Sequence, residues 1–309
     1  MERRTAIGLT TAAAGLGGVA TWVYRQAPAF WKQYFDEMSR PIARATHSPD
    51  PRLWPDKGVH GAWLGHSTVL LKVDGFTLIT DPVFSDRVGL SFGPVTVGVK
   101  RFVEPALALD RLPRLDLILL SHAHFDHFDT PTLGSLESKL TSVVTASRTS
   151  DLLNAWRYRN VRELAWGERA QVGPASLRAI EVNHWGARMR TDTYRGYNGY
   201  VIEIGRHRIL FAGDTAITDA FRQVKSSQPF DLAIMPIGAY QPWIRYHCTP
   251  EEAWRMGEHA GADRYLPVHH QTFPLSREPY FEPIGRFHAA AGSSPDRIVL
   301  REIGREFAL

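Results

Sequence analysis

The chain has 309 residues, 44% of them hydrophobic and 22% charged, a globular composition that excludes a disordered, collagenous or coiled-coil protein. Its 36 basic and 32 acidic residues leave a formal charge of only +4, without a long run of one sign, so no nucleic-acid-binding arm is indicated. The single cysteine, Cys248, cannot close an internal disulfide, and the fold does not depend on an oxidising compartment.

Arg3-Arg4 precede Thr5 to Tyr24, a stretch without charge that is rich in Ala, Gly and Thr. A basic start before an uncharged core predicts a signal or membrane-anchor segment over residues 1–24. Trp22, Tyr24, Phe30, Trp31, Tyr34 and Phe35 mix with Arg25 and Lys32, a combination suited to the headgroup level of a membrane. With Pro41, Pro49, Pro51 and Pro55 they make residues 25–57 an aromatic- and Pro-rich connector, and residues 58–309 the folded domain. These features favour membrane association, at the inner membrane or in the periplasm, with the cytoplasm as the alternative.

Strand-type apolar runs follow at Gly61–Leu64, Thr68–Val73, Phe76–Thr80, Leu115–Ser121, Ser142–Thr145, Ser176–Val182, Gly199–Ile204, Arg208–Ala212 and Leu232–Pro236. Asp74-Gly75 joins the second and third as a hairpin turn. Helices are predicted at Pro131–Leu140, Arg148–Arg157, Thr215–Lys225 and Pro250–Ala260; Thr249-Pro250-Glu251-Glu252 supplies a cap, a first-turn proline and first-turn acids for the last. Many strands followed by mixed strands and helices predict an α/β protein with two helix-covered sheets rather than a doubly wound one. No GxGxxG or GxxxxGK[ST] motif supports nucleotide binding.

Thirteen histidines are many for this length, and three fall in Ser121-His122-Ala123-His124-Phe125-Asp126-His127, directly after an apolar strand. Imidazole nitrogens and carboxylate oxygens bind borderline cations such as zinc, and a strand end lets several converge from a tight loop. His122 and His124 can turn to one ion and Asp126 and His127 to a second. Further donors at strand ends are His184, Asp214 after Gly213, and His269 or His270. With two oxygens, the Asp214 carboxylate is suited to bridge two cations. Asp81, ending another strand, is a candidate to orient a liganding imidazole. His66 is taken as structural.

This HxHxDH run, with a strand-end His, a Gly-Asp dipeptide and a late His, resembles the metallo-β-lactamase superfamily. Trp63-Leu64-Gly65-His66-Ser67-Thr68, Thr80-Asp81-Pro82-Val83-Phe84-Ser85, Lys100-Arg101-Phe102, Pro236-Ile237-Gly238-Ala239-Tyr240 and Pro250-Glu251-Glu252-Ala253 are similar to its N-acylphosphatidylethanolamine phospholipase D-like branch. The resemblance implies a four-layer αββα sandwich and two Zn2+ per chain. His122, His124 and His184 would hold one ion, and Asp126, His127 and His269 the other, with Asp214 bridging. It further implies a zinc-dependent phosphodiesterase that releases N-acylethanolamine and phosphatidate through a metal-bridging hydroxide, with Asp126 and Asp214 as catalytic groups. His247, Lys100, Arg101, Trp185 and Tyr240 are the expected substrate contacts. The partner would be a phospholipid or another phosphodiester, at a membrane surface. Alternatives are a soluble lactone or cyclic-phosphate hydrolase on the same site, and a non-catalytic metal-binding envelope protein.

Overall fold

The computed structural model describes residues 28–92 and 95–309. The chain divides into two compact units, Met1–Pro41 and Ile42–Leu309. The expected connector at 25–57 is therefore shared between them. Helix α1 (Pro28–Met38) lies in the first unit, and the 3-10 turn Pro51–Leu53 in the second. The anchor expected over residues 1–24 lies outside the described residues. Among those described, no helix is long and apolar enough to cross a membrane.

The second unit is built on two mixed sheets. One runs β15 (Glu306–Ala308), β1 (Val59–Gly65), β2 (Thr68–Val73), β3 (Phe76–Thr80), β6 (Leu117–Leu119), β7 (Ser142–Ala146) and β8 (Asn160–Leu164). The other runs β14 (Tyr265–Val268), β13 (Leu232–Pro236), β12 (His207–Phe211), β11 (Gly199–Ile204), β10 (Ala175–Ile180) and β9 (Arg169–Val172). A separate ribbon pairs β4 (Arg87–Phe92) with β5 (Val95–Lys100).

Side chains alternate across a strand, so residues one apart serve different layers. Ile202, Ile209, Phe211, Leu232 and Ile234 join Leu70, Leu78 and Ile118 of the first sheet in the main core. Val201, Leu210, Ala233 and Met235 instead form a second core. There they meet Met256 and Phe287, from helices α3 (Pro250–Ala260) and α4 (Glu282–Ala290). This is the α/β sandwich expected from the sequence. The predicted caps hold α3. Thr249 Oγ1 accepts from the Glu252 amide at 3.3 Å, and the Glu252 carboxylate accepts from the Thr249 amide at 2.9 Å.

Two expected helices are not formed, and in both cases neighbouring groups claim the backbone. Over Arg148–Arg157 only the 3-10 turns Ser150–Leu152 and Ala155–Arg157 appear. The Glu163 carboxylate takes the amides of Arg148, Thr149 and Ser150, and Arg195 binds the Arg148 carbonyl. Over Thr215–Lys225 only Ala220–Val224 coils, as a 3-10 helix. Thr215 and Ala216 are tied to Asn183 and Cys248 instead. The predicted helix at Pro131–Leu140 is short, α2 (Thr130–Ser135).

Gly257 lies on α3 where the helix meets the ring of Tyr265, which stacks on Trp254 at 4.2 Å. A Cβ at Gly257 would lie 2.2 Å from Tyr265 Cε1. We expect Gly257→Ala to destabilise the fold by about 1–2 kcal/mol, overpacking outweighing the roughly 1 kcal/mol of better helix propensity. A urea midpoint equal to or above that of the unaltered chain would refute this.

Candidate metal centre

Histidines and carboxylates gather at one edge of the sandwich because each follows a strand there. His122, His124, Asp126 and His127 follow β6, and His184 follows β10. Asp214 follows β12 and His269 follows β14. A bridge between His122 and Tyr197 joins the two sheets at this edge. Gly213 allows the close approach: its φ is +60°, and a Cβ there would lie 2.6 Å from the Asn198 carbonyl oxygen. His66, Asp81 and His269 also take positive φ, at 50°, 33° and 62°, uncommon for residues with a side chain.

Two groups of donor atoms converge. His122 Nε2 lies 2.8 Å from His124 Nδ1, and His184 Nε2 lies 3.3 Å from that same atom. In the second group, Asp126 Oδ2 lies 3.4 Å from His127 Nε2 and 3.5 Å from His269 Nε2. Asp214 Oδ2 stands between them, 3.1 Å from His127 Nε2, 3.0 Å from His269 Nε2 and 3.8 Å from His184 Nε2. Asp214 Oδ1, His127 Nε2 and both ring nitrogens of His269 are buried without an aligned hydrogen bond. Inward-facing donors of this kind fit a pair of divalent cations better than a proton network.

Outer hydrogen bonds fix which nitrogen of each ring faces inward. Asp81 Oδ2 accepts from His127 Nδ1 at 2.7 Å and from Ser121 Oγ at 2.6 Å. Since the Ser121 hydroxyl proton goes to Asp81, its oxygen accepts from His122 Nδ1 at 2.8 Å. His184 Nδ1 donates to the Tyr246 carbonyl at 2.9 Å. The Nε2 atoms of His122, His127 and His184 therefore point into the site, those of His122 and His184 with their lone pairs.

Burial pushes His122 and His184 well below the ordinary imidazole value, and His124 down to about 4, leaving them as neutral ligands. Burial alone would raise Asp126 and Asp214. Nearby His127 outweighs it and holds both carboxyl groups well below the usual range, with help from His269 at Asp214.

His66, taken as structural from the sequence, lies in the cluster with Asp126, His127 and His269. Burial lowers its imidazole to about 3, and its Nε2–H donates to Asp126 Oδ2 at 2.9 Å. His66 is itself pinned: its amide donates to Thr272 Oγ1, and its carbonyl accepts from Trp63 Nε1 and the His269 amide. The stretch Trp63–Thr68 marks it only through its family resemblance, since its partners Asp126, His269 and Thr272 are distant in sequence.

Beside the His and Asp cluster opens a cavity of about 320 Å³. His124, Asp126, Asp214, His247 and His269 form its polar floor. Val88, Val99, Phe125, Trp185, Trp243 and Leu275 are among its walls.

The domain family described as the beta-lactamase superfamily domain matches residues 77–270. An N-acyl-phosphatidylethanolamine-hydrolyzing phospholipase D of Caenorhabditis elegans is 32% identical over 247 residues, covering 74% of this chain and 68% of the relative. The chain belongs to the metallo-β-lactamase superfamily, in its N-acylphosphatidylethanolamine phospholipase D-like branch. A mitochondrial enzyme of the same description from Saccharomyces cerevisiae is 30% identical, covering 80% of this chain and 55% of its own length. Mycobacterium tuberculosis and Mycobacterium bovis have relatives 35% identical, of whose length the chain spans 63%. The fold is shared with an isothiocyanate hydrolase from Delia radicum gut bacteria (TM-score 0.64, 17% identity, 81% of this chain and 99% of that one). It is also shared with CmlA, a diiron beta-hydroxylase of Streptomyces venezuelae (TM-score 0.59, 19% identity, 83% and 55%).

All seven expected ligands lie in the converging cluster, and His269 rather than His270 turns into it. His270 packs against Trp63 instead, with ring centroids 4.6 Å apart and the planes tilted by 32°. His247 and Trp185 line the cavity, and His247 Nδ1 lies 3.8 Å from Asp214 Oδ2. Lys100, Arg101 and Tyr240 do not line it. Val99 faces the cavity, so Lys100, the next residue on β5, falls on the opposite face. Arg101 is fully buried, donates to the Val83 carbonyl and lies over the Phe273 ring. Tyr240 is buried and donates to Glu282. Phe125, a residue of the cavity wall, carries the Arg188 guanidinium 4.0 Å over its ring.

Asp81 holds two ligand rings in their liganding tautomers, so Asp81→Asn should weaken metal affinity about 10–100-fold. Titration against a chelator measures this, and unchanged affinity would mean that the tautomers are set elsewhere. His270→Ala serves as the comparison and should keep its metal.

Proposed function

We propose that the chain is a dinuclear zinc phosphodiesterase of the phospholipase D type, cleaving N-acylphosphatidylethanolamine to N-acylethanolamine and phosphatidate. The observation that carries this reading is the position of Asp214 Oδ2 between two groups of imidazoles, at the floor of a cavity with apolar walls. His122, His124 and His184 would hold one ion, Asp126, His127 and His269 the second, and Asp214 both. When bound, such ions activate water at neutral pH and neutralise charge on a phosphoryl group.

The chain's own residues do the rest. Trp185, Trp243 and Leu275 wall the cavity against bulk water and offer apolar surface to a lipid chain. Water attacks phosphorus, the P–O bond to the ethanolamide breaks, and one proton has to travel from the water to the leaving oxygen. Asp126 is positioned to carry it: His66 fixes its Oδ2, so the carboxylate keeps one orientation beside the cavity. His247, brought down to about 4 by burial, offers a neutral ring to the substrate. A membrane phospholipid as substrate places the enzyme at a membrane surface, with the inner membrane or periplasm as the favoured location.

Incubating the zinc-loaded chain with N-acylphosphatidylethanolamine, a lactone and a soluble phosphodiester tests this reading. Release of N-acylethanolamine supports it; turnover of the lactone alone would replace it with the lactonase alternative. Elemental analysis should find about two zinc ions per chain, because seven converging donors exceed one tetrahedral site. Asp214→Asn should lower kcat by about 10²–10³-fold, since one carboxylate serves both ions. A smaller loss than from His270→Ala would remove Asp214 from the centre of the mechanism.

A further inference from the structure

His122, His124, Asp126 and His127 share one loop, and outer hydrogen bonds hold three of them. The rings of His122 and His127 are held through Ser121 and Asp81, and the Asp126 carboxylate by His66. None of these bonds reaches His124, whose Nδ1 faces His122 and His184 and whose ring meets the edge of Trp185. The place of His124 therefore depends on the path of the loop backbone. That path turns back on itself where the amides of His127 and Phe128 both donate to the His124 carbonyl.

Ala123 and Phe128, on either side of this turn, are fully buried, so their carbonyls need donors. Arg188 supplies one to each. Its Nη1 donates to the Ala123 carbonyl at 3.0 Å and to the Phe128 carbonyl at 2.7 Å. The same guanidinium lies 4.0 Å over the ring of Phe125, which stands between those two residues. One nitrogen with two protons and one flat cationic face thus hold the loop at three points. Arg188 is itself set from behind, in the segment that follows His184. A Cβ at Gly186 would lie 2.3 Å from the Arg195 carbonyl oxygen, so this segment runs directly against the Arg195 backbone. Asp192 then accepts from the Met189 amide and from Arg195 Nε, each at 2.6 Å, which fixes the turn behind Arg188.

We infer that Arg188 is a positioning residue of the metal centre, fixing the backbone that carries His124 and Asp126, one donor for each ion. A positive charge beside a cation site would by itself weaken cation binding. Here the guanidinium is engaged by two carbonyls and a ring, and Asp129 and Asp192 offset its charge, so the gain from an ordered loop prevails. The two effects have opposite signs, and substitution separates them. Because Phe125 lines the cavity, the same residue also ties the cavity wall to the metal donors. This inference rests on the ligand assignment proposed above and adds what keeps those donors in place.

Competition against a chelator measures the zinc affinity of the full chain and tests this. Arg188→Met keeps the stem and removes the donors, and it should bind zinc about 10–100-fold more weakly. Arg188→Lys, whose ammonium can still donate to carbonyls, should stay within about three-fold of the unaltered chain. Cobalt bound in place of zinc reports ligand geometry through its visible absorption. Its bands should shift in Arg188→Met and return in Arg188→Lys, a response that lost fold stability alone does not produce. Phe125→Leu removes the ring beneath the guanidinium but leaves its bonds, and should weaken zinc about three-fold. That milder variant decides the matter if Arg188→Met does not fold. Unchanged zinc affinity in the variant that folds overturns the inference, and so does tighter binding, which would mean that charge repulsion outweighs the ordering of the loop. An unaltered chain that binds no zinc would sink the ligand assignment and this inference with it. Zinc binding requires no turnover, so failure to release N-acylethanolamine would sink the substrate reading alone.

Discussion

Everything at the functional edge depends on burying two carboxylates among imidazoles without leaving them uncompensated. Asp126 and Asp214 would be costly in a protein interior as isolated anions, and His127 and His269 offset that cost. The arrangement also leaves several inward nitrogens without aligned hydrogen bonds. Divalent cations resolve both problems together, supplying positive charge and accepting the lone pairs.

Such a cluster forms only if the rings are held from outside. Asp81 does this for His127 directly and for His122 through Ser121, while the Tyr246 carbonyl does it for His184. His66 plays the same part for Asp126. These supports come from β1, β3 and the loop after β13, so the geometry of the metal site is shared out over both sheets. That distribution explains why strand ends carry residues in unusual backbone conformations, as at His66, Asp81 and His269. The surrounding hydrogen bonds hold them there.

The cavity follows from the same edge. Its polar floor is the outward side of the ligand cluster, and its apolar walls come from the β4–β5 ribbon and from loops carrying Phe125, Trp185, Trp243 and Leu275. The sandwich supplies the chemistry, and these additions determine what reaches it. Members of one fold can thus act on unlike substrates while keeping the same ligand spacing.

From sequence alone, the donors that converge in the structure were legible because each follows an apolar run of strand type closely. The nine strand runs and the α3 cap were legible for the same reason, since alternation and capping are short-range patterns. The β4–β5 ribbon alternates too, but Gly89 and Gly98 interrupt its strand pattern, and it was not among the expected runs. The strand β15 gave no local sign because its partner, β1, lies at the far end of the domain. Helices expected at Arg148–Arg157 and Thr215–Lys225 failed because Glu163 and Asn183, distant in sequence, take the backbone groups a helix would need. His66 and Arg101 were misjudged for a related reason: a side chain's surroundings are set by packing. Residue type and spacing therefore determined which atoms can bind metal, and only the tertiary structure decided which rings are held in the liganding tautomer, which basic residues are buried, and which apolar surface opens onto the site.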